Sequence, residues 1–371
     1  MFGILPQELA MGRENWNLRG NVVLKPIWKL ALAVMAAAVI LVSCGTRKVS
    51  GPVQTGAPGP TPTESSAASV EPEPAFRSPL TGLPMEEEAT FRPFAVMINN
   101  FKAARPQSGL TNADVVWEVL AEGGITRLMA VFHSRSFEEP IGPIRSIRPY
   151  LIDLGEMYGG VLVHAGASND ALKILQHSGK ADLDEINNAG AFFYRDKSRK
   201  APHNLYSTLE RLQEGVRRHK YPETAPVPAV PFMDDPAPAD AANAENVEAW
   251  FSLKSYVVSY QYDASTGLYN RFIDGEPHVD LNNDRQLTAA NLVFLNARHR
   301  VYDNEGRLEI DLYSGGEALL FQRGKVIPCT WSREKGDIIR LKKDGAELPF
   351  APGTTYYHLI PGSLAEHVSY R

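Results

Sequence analysis

An apolar run that ends in a cysteine decides how much of this chain can fold. Residues 30–42 read LALAVMAAAVILV, and Lys25 and Lys29 precede them. About 13 apolar residues are few for a membrane-spanning helix but typical of the apolar core of a signal peptide. Small residues then lead to Cys44 in the order of a lipobox. The pattern predicts cleavage before Cys44 and a diacylglyceryl group on its sulfur, so residues 1–43 take no part in the fold.

The predicted lipid anchor also places the protein in the cell. A diacylglyceryl group on Cys44 holds the chain at the outer face of the cytoplasmic membrane, whether translation starts at Met1 or Met11. The alternative, an uncleaved apolar anchor with a chance cysteine, leaves the chain on the same side. Removal of residues 1–43 takes away four basic and two acidic residues, so the net charge changes from -5 to -7. Charge therefore does not attract the chain to anionic lipid, and the acyl chains carry the attachment.

The composition excludes several classes of protein. With 44% hydrophobic and 22% charged residues, the chain is globular and neither disordered nor fibrous. Two cysteines are too few for a disulfide scaffold or a cysteine-rich zinc module, and Cys329 is expected to fill a core position. The acidic net charge shows none of the basic excess that is typical of nucleic-acid-binding proteins. We therefore expect no nucleic-acid partner, no metal site and no cofactor.

Changes in composition and periodicity divide the chain. Proline, serine, threonine and glycine dominate residues 45–74, which lack the large apolar side chains of a core. Strand-like runs then alternate with capped helices, and later runs are separated by turn pairs such as Asp274-Gly275. The predicted class is α+β, with a mixed α/β layered domain followed by a smaller, mostly antiparallel β domain. The predicted regions are a lipoprotein signal peptide (1–43), the lipidated cysteine with a disordered tether (44–75), the N-terminal α/β domain (76–220), a linker (221–246) and the C-terminal β-rich domain (247–371).

Short polar motifs are unusually dense in the first predicted domain. They read PLTGLP, AVMINN, ARPQSGL, EGGITR, IGPIRSIR, HAGAS and APHN. The second domain adds YDASTGLYNR, the set Gly275, His278 and Asp280, QLTAANLVF, GKVIPCTW and PGTTYYHLIP. In this order the chain resembles the YerB-like bacterial lipoproteins over nearly all of the sequence after the tether. The resemblance implies a two-domain extracytoplasmic lipoprotein with cell-envelope duties, and it implies no reaction.

Two glutamates are the leading candidates for catalysis. Glu118 and Glu122 are four residues apart, so they share a face on a helix and also on a strand. On a helix their side chains start about 6 Å apart, which is compatible with acid–base work on a glycosidic bond. Glycosidase carboxylates flank the bond from two sides, however, and one element rarely supplies both. The alternative is that one glutamate pairs with Arg127 or Arg105 while the other faces water.

Two arginines ahead of a predicted helix indicate an anion site. Arg145 and Arg148 stand just before Pro149, and a helix N-terminus offers N–H groups to an anion. Carboxylates of peptide stems or phosphates of envelope polymers fit such a site. The alternative is internal pairing of the arginines with Asp153, with Glu156 or with the two glutamates.

The remaining candidates come from the same motifs. The segment HAGAS partly resembles a nucleophile elbow, with His203 as its base, but Asp170 stands where the second glycine belongs, so Ser168 is expected to cap a helix. The segment that begins at Asp280 starts like a calcium loop but lacks its glycine and glutamate, which favours a plain turn. The candidate catalytic residues are Glu118, Glu122, His164 and His203. The candidate ligand-binding residues are Asn100, Arg105, Gln107, Arg127, Arg145, Arg148, Ser168 and Asn204.

These observations leave two functions open. The first is a non-enzymatic lipoprotein that binds a cell-wall glycan, a peptide or a protein of peptidoglycan synthesis as an accessory. The second is an enzyme that acts on an envelope glycan through Glu118 or Glu122, with Arg145 and Arg148 orienting an anionic group. The lack of a complete catalytic constellation favours the first. Convergence of the polar residues in one cleft with unpaired carboxylates favours the second.

Replacement of Cys44 by serine is expected to abolish lipid attachment, because the thioether to diacylglycerol requires sulfur. In cells supplied with radiolabelled palmitate, the wild-type chain and Cys329→Ser should carry label, and Cys44→Ser should carry none. Lipid label on the Cys44→Ser chain would contradict the predicted anchor.

Overall fold

A sheet with a core on each side forms the centre of the protein. In the computed structural model, which describes residues 76–371, the segment FAVMIN at Phe94–Asn99 is buried along its whole length. Its alternate side chains, beginning with Phe94 and Ala95, pack into two separate hydrophobic clusters. Because successive side chains of a strand point to opposite faces, this sheet needs a packing layer on both sides.

The elements up to residue 222 mix strands and helices. The strands are β1 (Phe76–Arg77), β2 (Pro84–Met85), β3 (Phe94–Asn99), β4 (Val115–Leu120), β5 (Thr126–Phe132), β6 (Val161–His164), β7 (Asp182–Asp184), β8 (Tyr194–Arg195) and β9 (Leu205–Tyr206). The α-helices are α1 (Pro149–Glu156), α2 (Asn169–Ser178) and α3 (Leu209–His219). Short 3-10 turns lie at Lys102–Ala104, Leu110–Asn112, Glu122–Gly124 and Gly190–Phe192.

The elements after residue 240 are almost all strands. They are β10 (Ala242–Asn243), β11 (Asn246–Ala249), β12 (Val258–Asp263), β13 (Leu268–Ile273), β14 (Glu276–Pro277), β15 (Thr288–Ala289), β16 (Asn291–Ala297), β17 (His299–Val301), β18 (Leu308–Ile310), β19 (Gly316–Gln322), β20 (Lys325–Ser332), β21 (Arg340–Lys343), β22 (Ala346–Glu347), β23 (Thr355–Pro361) and β24 (Val368–Tyr370). One short helix, α4 (Leu364–His367), precedes the last strand.

The large sheet runs through both parts of the sequence. Its strands follow the order β22-β21-β20-β19-β16-β23-β4-β5-β3-β6-β7, and β10 pairs with β20. Strand β23, near the end of the chain, lies between β16 and β4 and is parallel to both. Its register sets His358 beside Glu118 and Tyr356 beside Val116. A late segment of the chain therefore completes the sheet that begins in the first predicted domain.

A smaller antiparallel sheet covers part of one face of the large sheet. Its strands follow the order β14-β13-β12-β11-β24, and β15 pairs with β13. Along β13 the side chains of Tyr269, Arg271 and Ile273 are buried, and those between them are half-buried. Buried side chains of this sheet and of α3 share one cluster, whereas those of α1 and α2 belong to the cluster of the opposite face.

The predicted α+β class is confirmed, with a C-terminal part that is mostly antiparallel sheet. Strand β4 was not predicted, because both of its faces are buried and its run VVWEVL shows no alternation. The expectation for Cys329 is wrong in part. Cys329 is half-buried, since it lies on the edge of a cluster, and burial raises the pKa of its thiol to about 12.

The predicted signal peptide, the lipidated Cys44 and the tether fall within residues 1–75, outside the described residues. Lipidation of Cys44 therefore stays a prediction from sequence. Among residues 76–371, no helix combines the length and the apolar character that crossing a membrane requires.

Candidate functional site

A buried ion pair joins the two sheets. Glu118 lies on β4 of the large sheet, Arg271 lies on β13 of the small sheet, and neither side chain reaches solvent. Arg271 Nη2 donates to Glu118 Oε2 over 2.6 Å. Arg271 occupies an inward position between Tyr269 and Ile273, so its guanidinium enters the space that an apolar side chain would normally fill. The pair therefore fixes the small sheet against the large one.

The second carboxylate oxygen of Glu118 is also fully used. Oε1 accepts from the Tyr256 hydroxyl at 2.5 Å, from the Thr126 hydroxyl at 2.7 Å and from Asn100 Nδ2 at 3.2 Å. Burial alone would raise the Glu118 pKa, but the charge of Arg271 and these hydrogen bonds outweigh burial and lower the pKa below its usual value. Glu118 is therefore an ionised, saturated acceptor and not a free acid or base.

Hydrogen bonds of fixed direction lead from Arg271 back to Glu118 by a second route. Arginine only donates, so Arg271 Nε donates to His278 Nδ1 over 3.0 Å. His278 then carries its proton on Nε2, which donates to Gln107 Oε1 over 2.7 Å. Gln107 Nε2 donates to Asn100 Oδ1 over 2.9 Å, and Asn100 donates to Glu118. The ring starts at a donor and ends at an acceptor, so each amide and imidazole in it has one orientation.

A third arm of Arg271 reaches β23. Arg271 Nη1 donates to the Tyr260 hydroxyl, which donates to His358 Nε2 over 2.8 Å. The other ring nitrogen of His358 donates to the Val293 carbonyl over 3.1 Å. Burial lowers the pKa of His358 to about 4 and that of His278 well below its ordinary value, so both rings are neutral. We call this set the polar hub: Asn100, Gln107, Glu118, Thr126, Tyr256, Tyr260, Arg271, His278 and His358.

A neighbouring carboxylate holds the ARPQSGL loop beside the hub. The fully buried Asp280 accepts from Gly109 N at 3.0 Å and from Thr111 N and Oγ1 at 2.9 Å and 3.0 Å. Gly109 has a φ of 88°, a conformation that favours glycine. The carboxylate of this turn thus binds protein N–H groups where a calcium loop would bind a cation. Within residues 76–371, no group of three His, Cys, Asp or Glu side chains is placed to hold a metal ion.

Arg105 lies at the surface above the hub. Its guanidinium carbon is 5.3 Å from the ring centroid of Tyr256, and its Nη1 is 4.0 Å from Asp274 Oδ2. A pocket of about 250 Å³ in front of it is also lined by Asn100 and Thr126. Ligand pockets usually measure roughly 300–1,000 Å³, so this opening is small for a ligand site.

Glu122 belongs to a different contact. Strand β4 ends at Leu120, and Glu122 begins the following 3-10 turn, so the two glutamates do not share a face as the spacing had led us to expect. Glu122 instead binds Arg148 through two hydrogen bonds, Nε–Oε1 of 2.5 Å and Nη2–Oε2 of 2.8 Å. The paired-carboxylate arrangement of a glycosidase is therefore not formed by these two residues.

Arg145 has no ion-pair partner among the described residues. Its backbone lies between the ends of β3 and β6, where its N–H donates to Met97 O at 2.8 Å and its carbonyl accepts from Ala165 N at 3.1 Å. Its Nε is buried and has no hydrogen-bond partner in this part of the chain. Burial, and then the neighbouring Arg148 and Arg195, lower its pKa. Arg145 therefore presents a positive charge that no described carboxylate neutralises.

Two further arginines stand near Arg145, and both are engaged. Arg127 Nη1 donates to the Ser146 carbonyl over 2.5 Å, and burial lowers its pKa to about 10. Arg195 donates to Glu185 Oε1 at 3.1 Å and to Asn204 Oδ1 at 3.2 Å. We call Arg127, Arg145, Arg148 and Arg195 the arginine cluster. It contains three of the predicted ligand-binding arginines and touches the predicted Asn204.

His203 lies next to this cluster. Its Nδ1 accepts from Asn99 Nδ2 over 2.8 Å, and its ring stacks on Phe101 at 5.5 Å. Burial and then the charge of Arg145 lower its pKa, so the ring is neutral at pH 7. Asn99 ends β3, and therefore His203 and Arg145 both stand at the carboxyl edge of the parallel strands β3 and β6, where open α/β sheets bind ligands.

The N-terminus of α1 offers fewer free N–H groups to an anion than the sequence predicted. Pro149 has no N–H group, and the N–H groups of Leu151 and Ile152 donate to the Arg148 carbonyl at 3.0 Å and 3.1 Å. Two N–H groups of the first turn of α1 are thus used within the helix. An anion site that includes free N–H groups of this helix stays a prediction, and the unpaired charge comes from Arg145.

His164 and Ser168 serve local structure. His164 is fully buried, and its Nδ1 donates to the Gly166 carbonyl over 3.0 Å. Its Nε2 lies 3.5 Å from the Asp182 carboxylate and forms no hydrogen bond within residues 76–371. Ser168 caps α2 by accepting from Ala171 N at 3.3 Å. Among the hydrogen bonds within residues 76–371, none joins Ser168 to His164 or His203.

Sequence reasoning missed the residues of the second domain that complete the hub. Tyr260 and Arg271 lie on β12 and β13, along which buried and less buried positions largely alternate. His358 lies on β23, which is buried along nearly all of its length. The available signal was the run LYNRFI, in which Arg271 takes the place of an apolar residue between two buried ones. A charged residue at an inward strand position needs a buried partner of opposite charge, and Glu118 is that partner.

Loss of the buried carboxylate should destabilise the protein strongly. Glu118→Ala leaves Arg271 buried without its counter-charge, which costs about 3–5 kcal/mol in the free energy of unfolding. The control Glu214→Ala removes an exposed pair with Arg217 on α3 and should cost about 1 kcal/mol or less. Urea unfolding measures both. A double variant that adds Arg271→Met should lose less than the sum of the single losses, and additive losses would contradict the coupling.

The buried histidines should make the fold sensitive to acid. An unfolded histidine takes up a proton near pH 6.5, but burial keeps His358 neutral down to about pH 4. The unfolded chain therefore binds more protons in this interval, and the free energy of unfolding should fall by on the order of 3 kcal/mol as the pH drops through it. His358→Gln should flatten this dependence in urea titrations, whereas the exposed His177→Gln should keep the wild-type slope. An unchanged slope in His358→Gln would refute the assignment.

Comparison with known proteins identifies the family of this chain. Family models described as "Protein of unknown function (DUF3048)" match residues 80–222, as an N-terminal domain, and residues 247–357, as a C-terminal domain. The chain is 37% identical over 297 residues to "Putative lipoprotein YerB" of Bacillus subtilis (strain 168), covering 79% of this chain and 89% of that protein. The crystal structure of YerB from Bacillus subtilis superposes with a TM-score of 0.73 at 35% identity, over 79% of this chain and 99% of that one. The chain belongs to the DUF3048 family, the family of YerB.

Proposed function

We propose that the protein is an extracytoplasmic lipoprotein that binds an anionic group of a cell-envelope polymer at the arginine cluster. In this proposal it acts as a non-enzymatic accessory of peptidoglycan synthesis. The observation that carries the proposal is the unpaired charge of Arg145 at the carboxyl edge of β3 and β6. A half-buried arginine surrounded by other arginines is stabilised by an anion from outside the chain.

The state of the carboxylates supports binding over catalysis. The glycan-cleaving alternative needs Glu118 or Glu122 as a free acid or base. Glu118 is bound on both oxygens within the hub, and Glu122 forms a two-fold contact with Arg148. Neither carboxylate is available for proton transfer to a substrate without breaking these contacts.

The anchor is supported by two independent observations. The residues that end in Cys44 resemble a lipobox, and the relative from Bacillus subtilis is named "Putative lipoprotein YerB". A lipid on Cys44, followed by a polar tether, leaves residues 76–371 close to the polymers on the outer face of the membrane.

Binding should depend on Arg145 and on salt. The full chain in detergent is titrated by calorimetry with muropeptides, which carry free carboxylates, released from purified cell wall. Arg145→Gln should weaken binding about tenfold or more, because one charge-assisted contact is lost. The exposed Arg285→Gln makes the same change of charge elsewhere and should bind as the wild type does. Affinity should also fall with added sodium chloride.

Equal affinities for the wild type and Arg145→Gln would refute this site. New glycan fragments after incubation of the chain with cell wall, absent with Glu118→Gln, would favour the enzymatic alternative instead. Chromatography of the soluble products distinguishes the two outcomes.

A further inference from the structure

A larger cleft lies apart from the polar hub and next to Arg148 of the arginine cluster, but none of the four arginines of that cluster lines it. It measures about 820 Å³ and separates helices α1 and α2 from the hairpin of β17 and β18. Its lining includes Tyr302, Tyr313, Asp153, Asp170 and Leu308. We call it the hairpin cleft. Its volume falls within the range of roughly 300–1,000 Å³ that ligand pockets occupy.

Two exposed tyrosines in the cleft are held in place. Tyr302 is 37% exposed and Tyr313 is 46% exposed, although large aromatic side chains are normally covered. The Tyr302 hydroxyl donates to Asp170 Oδ2 over 2.7 Å, so one contact ties the hairpin to α2. The Arg333 guanidinium carbon lies 4.5 Å from the centroid of the Tyr313 ring. Both rings are therefore ordered before any ligand arrives, which lowers the entropy cost of binding.

The backbone that carries Tyr313 is fixed as well. Asp311 Oδ1 accepts from Tyr313 N and Ser314 N, each over 3.0 Å. Its second oxygen accepts from Arg298 Nη2 over 3.0 Å. Arg300 and Glu309 form a further ion pair across the hairpin. Planar charged groups thus line the rim of the cleft next to the aromatic rings.

One carboxylate in the cleft lacks a partner. The side chain of Asp153 has no hydrogen bond or ion pair within residues 76–371, whereas its backbone carbonyl accepts from Arg333 Nη2 at 3.3 Å. Burial raises its pKa, an effect that the charge of Arg333 opposes. A hydroxyl donor from a ligand would satisfy this acceptor.

We propose that the hairpin cleft binds an oligosaccharide, with its sugar rings on Tyr302 and Tyr313 and a hydroxyl group donating to Asp153. A sugar offers an apolar ring face to an aromatic side chain and a hydroxylated edge to planar polar groups, and the cleft presents both. An acyl chain does not suit a rim of ion pairs. The inference uses none of the arginine cluster, so it is independent of the anion site proposed above.

The test is a calorimetric titration of the full chain in detergent with chitohexaose, an uncharged oligosaccharide of β-linked N-acetylglucosamine. The wild type should bind it saturably, and Tyr302→Ala and Tyr313→Ala should each weaken binding about tenfold. Tyr302→Phe keeps the ring and loses only the hydroxyl contact with Asp170, so it should weaken binding less than Tyr302→Ala. Arg145→Gln should bind chitohexaose as the wild type does.

Absence of chitohexaose binding, or equal binding by the wild type and both alanine variants, would overturn the inference. Loss of binding in Arg145→Gln with no effect of the tyrosine variants would move the sugar to the arginine cluster and would also overturn it. Preference of the cleft for a glycan-free stem peptide, with the same dependence on the tyrosines, would replace the sugar by a peptide. The muropeptide titration of Arg145→Gln tests the anion site, and the chitohexaose titration tests the hairpin cleft. A negative result in one titration therefore leaves the other proposal standing. Circular dichroism checks that each variant is folded.

Discussion

The contact between Glu118 and Arg271 is the constraint on which the rest of the structure depends. It places a full charge from each sheet in the space between them, and neither charge reaches water. An unpaired charge there would be prohibitive, so the two sheets have one permitted arrangement, the one in which these side chains meet. If Glu118 and Arg271 were replaced by apolar side chains, the two sheets would still pack together, but their relative position would be less strictly defined. The ion pair thus specifies the packing more than it strengthens it.

The hydrogen bonds around this ion pair also have a fixed direction. An arginine has only donors and a carboxylate only acceptors, so the groups between them must each donate in one direction. His278, Gln107 and Asn100 obey this order, and Tyr260 and His358 extend it to the last long strand. The motifs AVMINN and ARPQSGL and the residue Glu118 are therefore polar because they complete a network with the second domain. The polar residues of IGPIRSIR, HAGAS and APHN instead contact other groups of the first domain, and Arg145 has no ion pair among the described residues.

The sequence allowed the α+β class and the cap at Ser168 to be predicted, because these depend on local alternation and local donors. It did not reveal β4, whose run is apolar on both faces. The spacing of four residues also predicted that Glu118 and Glu122 share a face, since spacing does not show that the strand ends between them. The partner of Glu118 is more than a domain away along the chain. Such a pairing depends on how two sheets stack, and no local pattern encodes that.

The position of β23 has a consequence for how the chain is made. Synthesis proceeds from the N-terminus, so β4 leaves the ribosome long before its parallel neighbour β23 exists. Until then β4 has an open edge, and the strand that carries His358 is missing beside Glu118. A truncated chain that stops before residue 355 keeps Arg271 but leaves this edge of β4 unpaired. The large sheet is therefore complete only after β23 has been synthesised. Premature termination leaves an open strand edge that is prone to pair with other chains.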